Sequence, residues 1–141
     1  MREIQNKTKL ETDYLIVGCG AVGMAFADVV LSETKASLVM VDKLHKPGGH
    51  WNQAYSFVKL HQPSAFYGVS SVDLGKEGID KVGVNKGLQN LSSGDEIRNY
   101  YNDVMQGQFL PGGRVNIFLY AITTGTTVFP PFLPDNLLKY E

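Results

Sequence analysis

The stretch that most constrains this chain is Gly18-Cys19-Gly20-Ala21-Val22-Gly23, which follows the apolar run Tyr14-Leu15-Ile16-Val17 and opens a helix-forming run from Ala21 to about Ser32. A second apolar run, Ser37–Val41, ends at Asp42. Strand, glycine turn, helix and strand in about 30 residues predict a right-handed βαβ unit with parallel strands. Each glycine has its own reason. Gly18 allows the tight turn out of the strand, Gly20 leaves the backbone open to a pyrophosphate, and Gly23 lets the helix pack close to the sheet. Ala21 and Val22 then lie at the helix N-terminus, where unpaired N–H groups and a partial positive charge suit a diphosphate. Asp42 stands 24 residues after Gly18, where a carboxylate can accept from ribose hydroxyls and where a 2′-phosphate would be repelled. Neighbouring Lys43 would soften that repulsion. The pattern meets the context required of a dinucleotide fingerprint, with FAD and NAD both open at this point.

The chain has 141 residues, enough for one domain with a core, and 15 glycines, about 11% against a usual ~7%. Thirteen Lys+Arg against 14 Asp+Glu argue against a basic nucleic-acid binder. One cysteine, Cys19, forms no internal disulfide or cysteine-based zinc site, and its closeness to a helix start is matched by no C-x-x-C partner. His45, His50 and His61, spaced by 5 and 11, follow no zinc pattern, so no metal site is expected. The apolar run Tyr14–Ala27 contains three glycines and falls short of the ~18–20 residues of a membrane span. The expectation is a soluble, cytoplasmic protein.

Along the chain, residues 1–12 read as a loosely attached arm. The helix after the turn is expected to bury a stripe of Val22, Phe26, Val29 and Val30. Lys43 to about Ser64 reads as loop. The glycine-punctuated stretch Val69–Asn90 offers at most a short strand near Val82–Val84. Ser93 and Glu96 form a capping box, and Ile97, Tyr100, Tyr101, Val104 and Met105 recur at helical spacing, predicting a helix to about Gln106. Arg114–Thr123 reads as a strand, and Phe118–Tyr120 with the following prolines as an exposed apolar patch.

The run Lys46-Pro47-Gly48-Gly49-His50-Trp51 brings bare backbone and a flat aromatic back toward the same crevice. With the glycine turn and Asp42, this G-G-x-W resembles the flavoprotein oxidoreductases with two dinucleotide-binding domains, especially the flavin-containing and Baeyer–Villiger monooxygenases. That resemblance covers about residues 12–115. It implies that Gly18, Gly20 and Gly23 carry the diphosphate of FAD and Asp42 its adenosine ribose, a position where the family more often has Glu. It also implies that Gly49, His50 and Trp51 border the cofactor and that His61, in Leu60-His61-Gln62-Pro63, lies near the flavin ring. The resemblance lapses after Val115. A second G-x-G-x-x-G for NADPH and the monooxygenase signature F-x-G-x-x-x-H-x-x-x-(Y/F) are missing, so NADP or NAD would bind only through regions absent here.

The fold class expected is α/β, a Rossmann-like βαβ dinucleotide-binding domain with a parallel sheet that is incomplete. Three segments follow: an arm over 1–12, the N-terminal part of the FAD/NAD(P)-binding domain over 13–115, and a divergent tail over 116–141, truncated or out of register. The function expected is the FAD-binding portion of a flavin-dependent, NAD(P)H-linked oxidoreductase, catalytically incomplete alone and with no catalytic residue assignable. The alternatives are a non-catalytic NAD- or FAD-binding module acting as a sensor or partner subunit, and a nonfunctional fragment. An exposed sheet edge would seek a protein partner or an oligomer.

Overall fold

The computed structural model describes residues 10–75, 78–124 and 127–129. Most of the expected arm, and the run after Phe129, lie outside them. The glycine fingerprint folds as its spacing requires, with β1 (Tyr14–Val17), α1 (Ala21–Glu33) and β2 (Leu38–Val41) forming a βαβ unit. β2 is buried along its whole length, as expected of an apolar central strand in a parallel sheet. β3 (Val115–Phe118) lies parallel on its other side, giving the order β1-β2-β3 with Tyr14 opposite Leu38 and Leu38 opposite Val115. This is the first half of a doubly wound sheet, in which the strands run 3-2-1 from one edge. The chain is thus an α/β, Rossmann-like partial domain.

The expected stripe of α1 is corrected by the structure. α1 buries Met24, Ala27, Asp28 and Val30, while Val22, Phe26 and Val29 face outward. The helix is apolar on nearly every side, so hydrophobic spacing did not single out one face. Its inner face meets part of the long connection between β2 and β3. The buried Asp28 carboxylate accepts from the Ser71 N–H at 2.9 Å and from the Ser71 hydroxyl. At the other end, the Arg114 guanidinium donates to the carbonyls of Leu31 (2.7 Å), Thr34 (2.9 Å) and Ala36 (3.2 Å). A fixed cation there satisfies carbonyls around the helix C-terminus and opposes the negative end of its dipole.

α2 (Gly94–Val104) has the predicted capping box: the Glu96 N–H donates to the Ser93 hydroxyl at 3.3 Å, and the Ser93 N–H donates to the Glu96 carboxylate at 2.7 Å. Ile97, Tyr100, Tyr101, Val104 and Met105 are all buried, as their spacing predicts. The α-helix ends at Val104 and widens into a π-helical turn over Met105–Phe109, before Pro111 and the left-handed Gly113 stop it. Two further expectations need correction. Val82–Val84 forms no strand, only an exposed turn inside an excursion closed by the Ile79–Gln89 bridge. The strand expected over Arg114–Thr123 breaks at Leu119 and Tyr120, where Tyr120 takes a positive φ of 54°. The backbone then returns as β4 (Ile122–Thr124), antiparallel to β5 (Thr127–Phe129). Ala121 packs with Val39 and Val41 on the sheet face away from α1, so residues just past 115 are bound into the sheet.

The two adjacent tyrosines of α2 differ sharply. The Tyr100 hydroxyl donates to the Val72 carbonyl at 2.6 Å and accepts from the Val69 N–H at 2.7 Å, pinning the loop that Asp28 holds from the other side. The Tyr101 hydroxyl is buried with no well-formed hydrogen bond among the described residues, only the Tyr67 hydroxyl acting on it. Burial pushes both phenols above their ordinary range. Tyr100→Phe is expected to cost about 1–3 kcal/mol, because it strands a buried N–H. Tyr101→Phe removes a hydroxyl without a well-formed hydrogen bond and is expected to be neutral or stabilising by roughly 1 kcal/mol. Urea midpoints of the two variants check the contrast in sign.

Candidate functional site

The site lies at the C-terminal ends of β1 and β2, where α/β sheets bind ligands. The Gly18 N–H donates to the Val41 carbonyl at 2.7 Å, so the turn leaves β1 still held by β2. Gly18 has a φ of 102°, which excludes an ordinary side chain. Gly23 is required for another reason: a Cβ there would lie 2.0 Å from the Gly18 carbonyl oxygen. Gly20 is different. Its φ of −84° suits any residue, and a Cβ on it would make ordinary contacts with the Gly49 Cα at 3.4 Å and the Gly49 N at 3.9 Å. Neither conformation nor packing inside the chain demands glycine at Gly20.

The second glycine pair closes on the first. The Gly48 N–H donates to the Cys19 carbonyl at 2.8 Å, and a Cβ on Gly49 would come within 2.8 Å of the Gly20 Cα. Gly48 and Gly49 both have positive φ, at 116° and 55°. Their bareness therefore serves a backbone-to-backbone approach that seats the later loop on the glycine turn. Asn52 fixes the far side of this loop by donating to the carbonyls of Lys46 (3.0 Å) and Pro47 (3.1 Å).

Asp42 joins the two ends of the turn. One carboxylate oxygen accepts from the Cys19 N–H at 2.6 Å and the other from the Leu44 N–H at 2.8 Å. The side chain is only 6% exposed, and its backbone N–H and carbonyl are bonded to Phe118 and Ala121. A carboxylate oxygen accepts more than one hydrogen bond, so lone pairs remain for a ligand hydroxyl. Lys43 beside it is exposed.

α1 begins with Gly20 as its N-cap, with no side-chain cap and no acid in the first turn. Ala21, Val22 and Gly23 are the first three helical residues, so their N–H groups have no intrahelical acceptor. Bare backbone, a positive helix end and no nearby first-turn carboxylate make a seat for an anion. This fits the diphosphate of a dinucleotide.

The remaining expected residues are spread around this seat. Trp51 is buried in the main core, where its indole N–H donates to the Tyr67 hydroxyl at 2.7 Å and Arg98 donates to its carbonyl at 2.9 Å. His50 is exposed, its ring tilted against Trp51 at 5.1 Å between centroids. It is the G-G-x-W side chain that faces solvent. His61 is exposed too, and the backbone contacts flanking it run from Lys59 and Leu60 to Ser93 and Ser92 at the start of α2. Arg98, Asp28 and Arg114 went unnoticed in the sequence. Only Asp28 left a signal, as a lone acid inside an otherwise apolar helical run.

Cys19 is fully buried, and burial, helped by the Asp42 charge, pushes its thiol up to about 12. Such a thiol is no nucleophile. Its protonated form is favoured by folding, so this contribution is present below about pH 9 and is lost as pH rises toward 12. Native protein at pH 8 is expected to react with a thiol reagent about 10³-fold more slowly than unfolded protein. A time course with and without denaturant measures this.

An open groove of about 480 Å³ between α2 and the loop 72–75 carries Asp73, Glu96 and Asp103. Those carboxylates would repel a diphosphate, so the groove is not its seat. Among the described residues, no cluster of three or more His, Cys, Asp or Glu is placed to hold a metal, and no helix is long and apolar enough to cross a membrane.

The fold and the glycine turn define a Rossmann-like α/β domain of the first, 3-2-1 half type. Solved structures with this arrangement include a flavin monooxygenase variant from Stenotrophomonas maltophilia, with 20% identity, a TM-score of 0.56, and coverage of 74% of this chain and 27% of that one. A flavin-containing monooxygenase from the same organism gives 20% identity and a TM-score of 0.55, over 74% and 28% of the two chains. The open crystal structure of cyclohexanone monooxygenase gives 20% identity and a TM-score of 0.51, over 75% and 20%. The fold is therefore monooxygenase-like. By sequence, the chain is 54% identical over 109 residues to the uncharacterized proteins Rv2000 and MT2056 of Mycobacterium tuberculosis and Mb2023 of Mycobacterium bovis. That match takes in 77% of this chain but spans only about a fifth (20%) of the length of these curated relatives. No protein-family model matches the chain.

Proposed function

We propose that residues 13–115 form the N-terminal, FAD-binding part of a flavin-dependent, NAD(P)H-linked oxidoreductase of monooxygenase type, whose catalysis needs sequence outside these 141 residues. One observation carries the reading. Gly20 has no side chain, yet neither its φ of −84° nor its surroundings inside the chain require that. Its bareness is explained by a ligand backbone that must pass against it at the mouth of α1. A flavin dinucleotide is favoured over a nicotinamide one by the likeness to flavin monooxygenases and by the G-G-x-W loop packed on the turn.

In this reading the N–H groups of Ala21, Val22 and Gly23 hold the diphosphate, and Asp42 fixes the turn while offering its remaining lone pairs to the adenosine ribose. Lys43 stands at the rim. Gly49 and His50 border the cofactor, and Trp51 anchors the loop from within. His61 belongs to the side nearer the flavin ring. Bound FAD would supply the electron-carrying ring, while the protein contributes binding, orientation and exclusion of water.

Titration of the purified chain, followed by flavin fluorescence and calorimetry, tests this. FAD is expected to bind at least ~10-fold more tightly than FMN, which lacks the adenosine half, a difference of about 1.4 kcal/mol. Gly20→Ala should weaken FAD binding at least ~10-fold while leaving the urea midpoint close to wild type. Binding of NAD without FAD would favour the non-catalytic nicotinamide module and overturn the flavin reading.

A further inference from the structure

We propose that His45 and Tyr120 form an aromatic platform that stacks against the purine base of the bound dinucleotide, next to the ribose at Asp42. The inference rests on the dinucleotide reading of the site and holds for FAD and NAD alike, since both carry adenine.

Two loops meet at this place, one leaving β2 after Val41 and the other leaving β3 after Phe118. The Asp42 N–H donates to the Phe118 carbonyl at 3.0 Å, and the Ala121 N–H donates to the Asp42 carbonyl at 2.9 Å. Beyond them the Tyr120 N–H donates to the Leu44 carbonyl at 3.0 Å. Residues 118–121 are thus tied to residues 42–44, beside the carboxylate offered to the ribose. In the dinucleotide reading the diphosphate lies at the mouth of α1, which follows β1, and the ribose lies at the end of β2. The sheet order is β1-β2-β3, so a ligand continuing in the same direction brings its base to the end of β3.

The side chains there suit a flat ring. The rings of His45 and Tyr120 lie 6.0 Å apart between centroids, with their planes 30° from parallel. His45 is exposed and Tyr120 is 55% exposed, so the pair leaves aromatic surface uncovered. A purine stacks on such a surface without needing a hydrogen bond, because every base has a π face.

The backbone supplies an independent reason. Tyr120 is the one non-glycine among the described residues with a positive φ, at 54°. Glycine or asparagine would take that conformation at less cost than a bulky aromatic residue. Packing does not repay the cost, since Tyr120 belongs to neither apolar cluster. A strained residue held by its neighbours' hydrogen bonds, with its ring in solvent beside a ligand seat, fits a side chain kept for the ligand.

The test titrates the purified chain with FAD, ADP and FMN, comparing wild type with Tyr120→Asn, which tolerates the left-handed backbone but has no ring to stack. Affinity for FAD and for ADP should fall at least ~10-fold, while the urea midpoint stays at or above that of wild type. Affinity for FMN, which has no adenine, should not change. Tyr120→Phe keeps the ring and should bind FAD within about 2-fold of wild type. A second measurement needs no variant: the adenine H2 and H8 resonances of ADP should move upfield on binding to the wild-type chain, because protons over an aromatic face are shielded. If the chain binds NAD in place of FAD, the same comparison is made with NAD. Wild type that binds neither dinucleotide overturns the dinucleotide reading and this proposal with it. Dinucleotide binding undiminished in Tyr120→Asn, or ADP resonances that do not shift, overturns the platform alone and leaves the dinucleotide reading standing.

Discussion

Replacing Gly23 with alanine is expected to leave little folded protein, with a loss of more than about 3 kcal/mol. The added Cβ would lie 2.0 Å from the Gly18 carbonyl oxygen and 3.2 Å from its carbon. Both are backbone atoms of the turn, and the turn cannot retreat. Its Gly18 N–H is bonded to Val41, its Cys19 N–H to Asp42, and its Cys19 carbonyl to the Gly48 N–H. The clash must instead push α1 off β1, opening the core around Ile16, Met24 and Ala27. Since a domain is stable by only ~5–15 kcal/mol, this is a large share of the total. Soluble yield and urea midpoint measure it, with Gly20→Ala as the control. At Gly20 a Cβ meets its nearest neighbour at 3.4 Å, so the control should keep a midpoint near wild type. Equal stability of the two variants would show that α1 does not pack on the turn this closely.

Asp42→Ala should be the next most damaging change, and it has two readouts. The carboxylate is the acceptor for the N–H groups of Cys19 and Leu44, at 2.6 and 2.8 Å. Removing it strands both donors beneath the turn, one of them in a fully buried residue, for an expected loss of about 2–4 kcal/mol. On the proposed reading, FAD affinity should fall at least ~10-fold in the same variant, because the turn loses its shape and the ribose would lose its acceptor. Asp42→Asn separates the parts. The amide keeps one acceptor oxygen but presents a donor NH₂ to the other N–H, so stability should fall by less than in the alanine variant and still measurably. A variant as stable as wild type would mean that the carboxylate does not hold the turn.

The local elements were readable from the chain because their causes are local. The glycine turn between two apolar strands, the capping box of Ser93 and Glu96, and the helical spacing of Ile97, Tyr100, Tyr101 and Val104 depend only on near neighbours in sequence. The buried face of α1 was not readable, since an apolar residue on every side gives periodicity nothing to select. The break at Leu119 and Tyr120 was hidden as well. Residues 114–123 have uniform strand character, and what ends the strand is the return of the chain across Asp42 and Leu44.

The sequence by itself determined the βαβ unit and the order of its elements, because strand, turn and helix propensities act over a few residues. It also marked the residues proposed to meet a dinucleotide. Tertiary structure alone decided how those residues divide the work. Gly23 and Gly49 are bare because another backbone lies within 3 Å of where a side chain would be, Asp42 is spent on two main-chain donors, and Trp51 points inward. These include contacts between positions as far as 47 residues apart, as Trp51 and Arg98 are, and no local pattern encodes such distances. Only the fold shows that, of the three fingerprint glycines, Gly20 alone has no internal reason to be one.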